Sequence, residues 1–275
     1  MKTLHWLVGI VIILAGGFYA LNSYIYNEKQ PVRSGGEAQN TPMQNSSDSP
    51  VEIFPIEHAT AVIHWQAQTH NTTFYLDPVG DPSAFAGLPA ADEVLVTDIH
   101  DDHFSPSTLE SVVVMPVTGL IVPQAVKDQL PPKLAAHATV LKNGESLDSP
   151  GLSITAIPMY NLPGSSNEKY HTKGRGNGYL IEIDGFRVYI AGDTAGIPEM
   201  RALTDIDIAL VPMNLPYTMD VDEAANAVLE FKPKQVYPYH YRGQGGLSDV
   251  GRFKELVNAG DPSIEVILAN WYPQQ

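Results

Sequence analysis

Short apolar runs rich in Val, Ile and aromatic residues recur along the chain, at 61–65, 73–76, 93–96, 120–122, 139–141, 152–157, 179–183, 187–191, 206–211, 235–239 and 264–268. Their length and β-branched content predict strands. Capping signals and helical spacing place helices between the later runs: after Ser105-Pro106, at 124–129, at 220–231 and at 248–257. The runs at 61–65 and 73–76 predict a hairpin, and Ile183-Asp184-Gly185 predicts another with Asp-Gly turn chemistry. No repeat of fixed period is visible. Hairpins mixed with helix-separated strands, without an internal boundary, predict a single layered α/β domain with helices covering the sheet faces.

Ahead of this pattern the chain reads differently. Between Thr3 and Asn27 there is no formal charge, and residues 6–21 are almost wholly apolar, a run long enough to span a bilayer. Phe18-Tyr19-Ala20 makes a poor small-x-small cleavage site, whereas Tyr24 and Tyr26 suit an interfacial belt. Residues 1–27 are therefore read as a transmembrane anchor, with a cleaved signal peptide as the alternative. Residues 28–50, rich in Gln, Asn, Ser, Gly, Glu and Pro, read as a flexible linker, and 51–275 as the folded domain. Lys2 before the run and Lys29 and Arg33 after it give little orientation. A short amino tail, with the domain membrane-anchored outside the cytoplasm, is the expected arrangement.

Charge and composition narrow the chemistry. The 275 residues carry 16 Lys plus Arg against 31 Asp plus Glu, a net charge of -15. Such a field repels polyanions and disfavours nucleic acid as a partner. There is no cysteine, so thiolate chemistry is absent and any metal must be held by His, Asp, Glu or Asn.

Candidate chemistry concentrates after the run at 93–96, where Asp98, His100, Asp102 and His103 follow within a few residues. Ser105 can cap the next helix and Pro106 fits its first position, so the cluster occupies a strand-to-helix loop at the carboxyl end of a strand. Asp98 and His100, two apart in extended chain, point to one side, while Asp102 and His103 approach from the turn. Asp193 follows the run at 187–191, and His240 follows that at 235–239. Three strand ends thus bring ligand-type side chains to one sheet edge, as a metal site on a rigid scaffold requires.

The segment Asp98-x-His100-x-Asp102-His103 resembles the His-x-His-x-Asp-His signature of the metallo-β-lactamase fold, with Asp in place of the first His. His64 followed by Leu76-Asp77-Pro78 resembles the early hairpin of that superfamily, Gly192-Asp193-Thr194 its Gly-Asp-Thr motif, and Tyr237-Pro-Tyr-His240 its closing strand-end His. Asp77-Pro78-Val79, the phrases at 156–161 and 216–220, and Gly178-Tyr179 are most similar to the branch containing ascorbate-6-phosphate lactonase-like proteins and the phospholipase D-type enzymes that act on N-acyl phosphatidylethanolamine.

That resemblance implies an αββα sandwich preceded here by a transmembrane helix. It implies one divalent ion held by Asp98, His100 and either Asn161 or His171, and a second held by Asp102, His103 and His240, with Asp193 bridging. One or two ions are expected, zinc first. The carboxylate at Asp98 shifts preference toward manganese or iron. The activity implied is hydrolysis of an ester, lactone or phosphodiester by a metal-activated water, with Asp102 orienting the nucleophile and His171 stabilising the developing oxyanion. A non-catalytic metal- or ligand-binding module on the same fold is the alternative. Lys169, Lys173 and Arg175, in the Gly-rich loop at 164–177, read either as receivers of the phosphate or carboxylate of an anionic small-molecule substrate or as part of a solvated insertion loop. His58, His70 and His137 lack ligand-like neighbours and are expected in surface or core roles.

The anchor reading carries a direct test. The full-length chain is expected in the membrane fraction of lysed cells, and its recovery untruncated in the soluble fraction would overturn it.

Overall fold

Alternation along the first strands sets the layering. In the strand Thr60–Gln66, Ala61, Ile63 and Trp65 are fully buried in one core while Val62 is buried in another on the opposite face, the period of two expected of a sheet covered on both sides. The computed structural model describes residues 49–68 and 70–272, and they form two facing sheets.

The first sheet has six strands in chain order: β1 (Val51–Glu57), β2 (Thr60–Gln66), β3 (Asn71–Leu76), β4 (Glu93–Leu95), β5 (Gly119–Val122) and β6 (Thr139–Val140). β1 to β3 are antiparallel, and β3 to β6 run parallel. The second sheet is built from β7 (Ser146–Ser149), β8 (Leu152–Met159), β9 (Gly176–Ile183), β10 (Phe186–Ile190), β11 (Ile208–Pro212) and β12 (Gln235–Tyr239). A small hairpin, β13 (Arg242–Gly243) and β14 (Gly246–Leu247), precedes the last strand, β15 (Glu265–Val266), which pairs with β12 at the edge of the second sheet.

Helices close the outer faces. Leu109 of α1 (Pro106–Val112), Val126 of α2 (Gln124–Lys127) and Leu134 of α3 (Pro132–His137) pack with Val62, Val94, Leu120 and Val122 outside the first sheet. Between and behind the sheets a larger core joins Trp65, Phe74 and Leu95 to Tyr179, Ile190 and Val211. It takes in Met200 of α4 (Pro198–Arg201), Val228 and Phe231 of α5 (Val221–Phe231), and Phe253 of α6 (Val250–Gly260). The αββα expectation therefore holds.

Where the sequence reading and the structure differ, the cause is local. β1 carries Pro55 inside it, which fits only an edge strand. β7, Ser-Leu-Asp-Ser, is a polar edge with no apolar signal. The last helix starts at Val250, capped by Asp249 rather than from Ser248, because the Asp249 side chain accepts from the Arg252 N–H. The Ile183–Phe186 hairpin turns through Asp184 at φ 52° and Gly185 at φ 83°, as the Asp-Gly chemistry requires. Among the described residues no helix is long and apolar enough to cross a membrane. The run read as an anchor lies outside the described residues.

One carboxyl in the sheet is out of keeping with its surroundings. Glu93 opens β4 beside Gly119 of β5, and a Cβ on that glycine would strike the Glu93 carboxyl. Burial, and then the adjacent Asp92 carboxylate, push Glu93 up to about 7. A folded-state value above the unfolded one means that the protonated form favours the fold. That contribution is full at low pH and is lost as pH rises through about 7. Glu93→Gln is expected to flatten the stability profile between about pH 5 and about pH 8, and to exceed the parent by about 2 kcal/mol at the upper end, read from denaturant midpoints across that range.

Candidate metal centre

β3 and β4 end side by side, and their last turns are tied by a carboxylate. Asp77, fully buried at φ 42°, accepts from the Thr97 N–H and Oγ1–H, each at 2.7 Å. The same carboxylate lies 2.8 Å from His103 Nδ1. An acceptor there fixes the hydrogen on Nδ1 and leaves the Nε2 lone pair of the buried His103 facing inward. The turn between them is closed by the His103 N–H on the His100 carbonyl at 2.9 Å, and Ser105 caps α1 by accepting from the Thr108 N–H.

Two further strand ends meet this loop. After β10, Gly192 at φ 66° turns the chain, its N–H donating to Tyr239 Oη at 2.9 Å, and a Cβ there would strike Met159 Sδ at 2.5 Å. The turn delivers Asp193. After β12, His240 adopts φ 48° and its N–H donates to the carbonyl of His58, itself at φ 56° in the turn between β1 and β2. Positive φ in residues other than glycine is tolerated where the surroundings over-determine it.

The side chains then converge. His103 Nε2 lies 3.0 Å from His240 Nε2 and 3.3 Å from Asp193 Oδ2. His240 Nε2 lies 3.2 Å from Asp193 Oδ1 and 3.4 Å from Asp102 Oδ2. Asp193 Oδ1 is buried with no hydrogen-bond partner. Two ring nitrogens in contact beside one buried carboxylate suit a shared cation, a proton or a metal ion. The electrostatics agree: burial disfavours charge on His103, yet Asp193 and Asp77 hold its pKa well above the ordinary histidine value. His240 is raised by Asp193 and Asp102 against the same burial cost. Burial would raise Asp193, but His240, His103 and His171 hold it well below the usual carboxylate range. Nitrogen and carboxylate donors without sulfur suit zinc, manganese or iron, so Asp102, His103, Asp193 and His240 fit a divalent ion.

The other expected ligands lie alongside. His171, in the loop between β8 and β9, places Nε2 3.1 Å from Asp193 Oδ2 and donates from Nδ1 to the Tyr217 carbonyl at 3.1 Å. Asp98, His100 and His171 each bring one ligand-type atom within 4.8 Å of the others. Asn161 Nδ2 lies 3.2 Å from His171 Nδ1 and donates to the carbonyls of Asn167 and Tyr217 at 2.9 and 2.7 Å, while its Oδ1 is buried without a hydrogen-bond partner. Of the two alternatives for the third ligand, His171 lies with Asp98 and His100, and Asn161 lies directly behind it.

Two expectations need correction. The basic loop does not offer three cations to a substrate: Arg175 forks onto Asp98 at 3.0 and 2.7 Å, Lys173 pairs with Glu199 at 2.7 Å, and Lys169 lies over the Tyr170 ring. None of the three lines the cavity of about 300 Å³ that opens beside Asp102, His171 and Asp193, whose cation is Arg242. His58 is not peripheral. The Arg242 backbone N–H donates to Tyr272 Oη at 3.1 Å, so the Tyr272 hydroxyl donates to His58 Nδ1 at 2.7 Å, which turns His58 Nε2–H toward Asp102 Oδ2 at 3.1 Å. Burial keeps His58 neutral by lowering its pKa, the contact with Asp102 only opposing that. His58 was overlooked because the edge strand before it was not recognised, and with it the hairpin turn. His64, by contrast, bonds Thr73 across β2 and β3.

Residues 53–240 match the β-lactamase superfamily domain family. A UPF0173 metal-dependent hydrolase of Thermococcus onnurineus is 32% identical over 204 residues, covering 70% of this chain and 87% of the relative. A crystal structure from Parabacteroides distasonis, assigned as a metal-dependent hydrolase, superposes with a TM-score of 0.71 at 36% identity, covering 85% of this chain and 99% of that one. A metallo hydrolase of Ignicoccus hospitalis, at 20% identity and a TM-score of 0.63 over 80% of this chain and 94% of its own, shares the fold.

The chain of bonds through His58 has a measurable consequence. His58→Ala is expected to lower metal affinity about 10- to 100-fold in calorimetric titration, with Tyr272→Phe acting in the same direction and more weakly.

Proposed function

Because the chain belongs to the metallo-β-lactamase superfamily, among the UPF0173 metal-dependent hydrolases, we propose that it cleaves an ester, lactone or phosphodiester bond in a small anionic molecule, from a membrane-anchored position. The observation that carries this reading is the meeting of Asp102, His103, Asp193 and His240 beside a cavity of about 300 Å³. Those four would hold a divalent ion, zinc first and manganese or iron next, which would supply Lewis acidity toward a water and a substrate oxygen.

The chain's own groups do the rest. Asp77 holds His103 in the tautomer whose Nε2 lone pair faces inward. Asp102, 40% exposed beside the cavity, is aimed by His58 and would ligate the ion and orient the water; against the cost of burial, His240 and His58 hold its carboxyl well below the usual carboxylate range. His171 faces the cavity with Nε2 while the Tyr217 carbonyl fixes Nδ1, so its ring is oriented before substrate arrives. Arg242, which lies over the Tyr272 ring and 3.6 Å from Glu57, lines the same cavity as Tyr170 and Tyr217, and its guanidinium suits the phosphate or carboxylate of a small substrate. The phrases at 77–79, 156–161 and 216–220 support the lactonase-like and phospholipase D-type branch as the nearest source of substrates to try. The charge-free run from Thr3 to Asn27 supports anchoring, with this domain outside the cytoplasm.

Turnover of chromogenic phosphodiesters, lactones and esters is expected to vanish on chelation and return with metal. His103→Ala and Asp193→Ala are expected to lower kcat/KM more than about 100-fold, beyond the usual effect of losing a residue that only supports a ligand, with circular dichroism unchanged. Arg242→Met is expected to raise KM for an anionic substrate and leave that of a neutral ester unaltered.

A further inference from the structure

Asp98 stands where the superfamily signature has its first histidine, and the structure shows what accompanies the exchange. Its carboxylate is fully buried, and both oxygens are taken: Oδ1 accepts from Arg175 Nε at 3.0 Å, and Oδ2 accepts from Arg175 Nη2 at 2.7 Å. His100 Nδ1, 2.9 Å from the same Oδ2, adds a further donor. The Arg175 side chain is only 19% exposed, and its Nη2 also donates to the Tyr170 carbonyl at 2.6 Å. The carboxylate is already matched by a guanidinium in the planar two-bond geometry that arginine favours.

The three groups expected to hold the first ion are thus engaged differently from the other set. Asp98 points its lone pairs at Arg175. His100 directs Nδ1 to Asp98, and its Nε2 faces Arg175 Nη2 at 3.4 Å. Only His171 Nε2 is turned to the centre, 3.1 Å from Asp193. A divalent cation among these three would sit against the fixed charge of Arg175, whereas His103, His240 and Asp193 meet with no arginine or lysine bonded to them among the described residues.

We infer that this chain holds one divalent ion, at Asp102, His103, Asp193 and His240, and that the Arg175 guanidinium supplies the positive charge at the other position. Asp98 and Arg175 act as a pair: the carboxylate in place of imidazole and the arginine in place of a metal. His171 is then left to face the substrate cavity. This inference rests on the metal-dependent hydrolase reading and deepens it.

The test is the number of ions bound. Purified full-length protein, stripped and reloaded with manganese, is expected to saturate at one ion per chain by elemental analysis and calorimetry, with the paramagnetic resonance spectrum of an isolated ion. The double variant Asp98→His with Arg175→Ala is expected to take up a second ion and to show a spin-coupled pair. Two ions in the parent, or a coupled spectrum, overturn the inference and leave the hydrolase reading standing. No ion in the parent overturns both. Should the double variant not fold, the parent's stoichiometry and spectrum decide the matter alone.

Discussion

A carboxylate without access to water governs this site. Asp77 is fully buried where β3 ends. Its two oxygens accept from the backbone and side chain of Thr97 and from His103. One group therefore sets the path of the chain leaving β4 and the tautomer of the imidazole that chain carries. Had Nδ1 lacked that acceptor, the hydrogen on His103 could reside on Nε2, and no lone pair would face His240 and Asp193. The rest of the centre is built around an imidazole whose orientation and protonation are settled from behind.

The second constraint is steric and lies in the turns. His58, Asp77 and His240 all sit at positive φ, a conformation that costs on the order of 1 kcal/mol or more for residues other than glycine. Two packed sheets can impose it because each of these residues leaves the end of a strand held by ladder bonds. The His58 and His240 rings lie 3.9 Å apart, and the His240 N–H reaches the His58 carbonyl. Rigid strands thus hold the strained turns, and the strained turns aim the side chains. The scaffold supplies the precision that a loop alone would not.

Much of this was legible in the residues. Asp98, His100, Asp102, His103, Asp193 and His240 announce themselves because each follows an apolar run, and strands of one sandwich end at a common edge. The hairpin at Asp184-Gly185 and the cap at Ser105 were legible for the same reason: the signal is local. What escaped was non-local or faint. β1 was masked by Pro55 and β7 by its polar composition, and His58 was lost with β1. Arg175 reads as a solvent-facing cation in a Gly-rich loop, because nothing in the order of residues says that it will meet an aspartate 77 positions earlier. Asp77 was visible as part of a phrase, but its bond to His103 exists only once β3 and β4 lie side by side.

The union of Arg175 with Asp98 also fastens the loop after β9's predecessor, β8, to the loop after β4, one from each sheet. A guanidinium cannot exchange with the medium or be withdrawn by a competing scavenger. Part of the positive charge that this pocket needs is therefore written into the polypeptide, and it persists however scarce dissolved metals become in the surroundings.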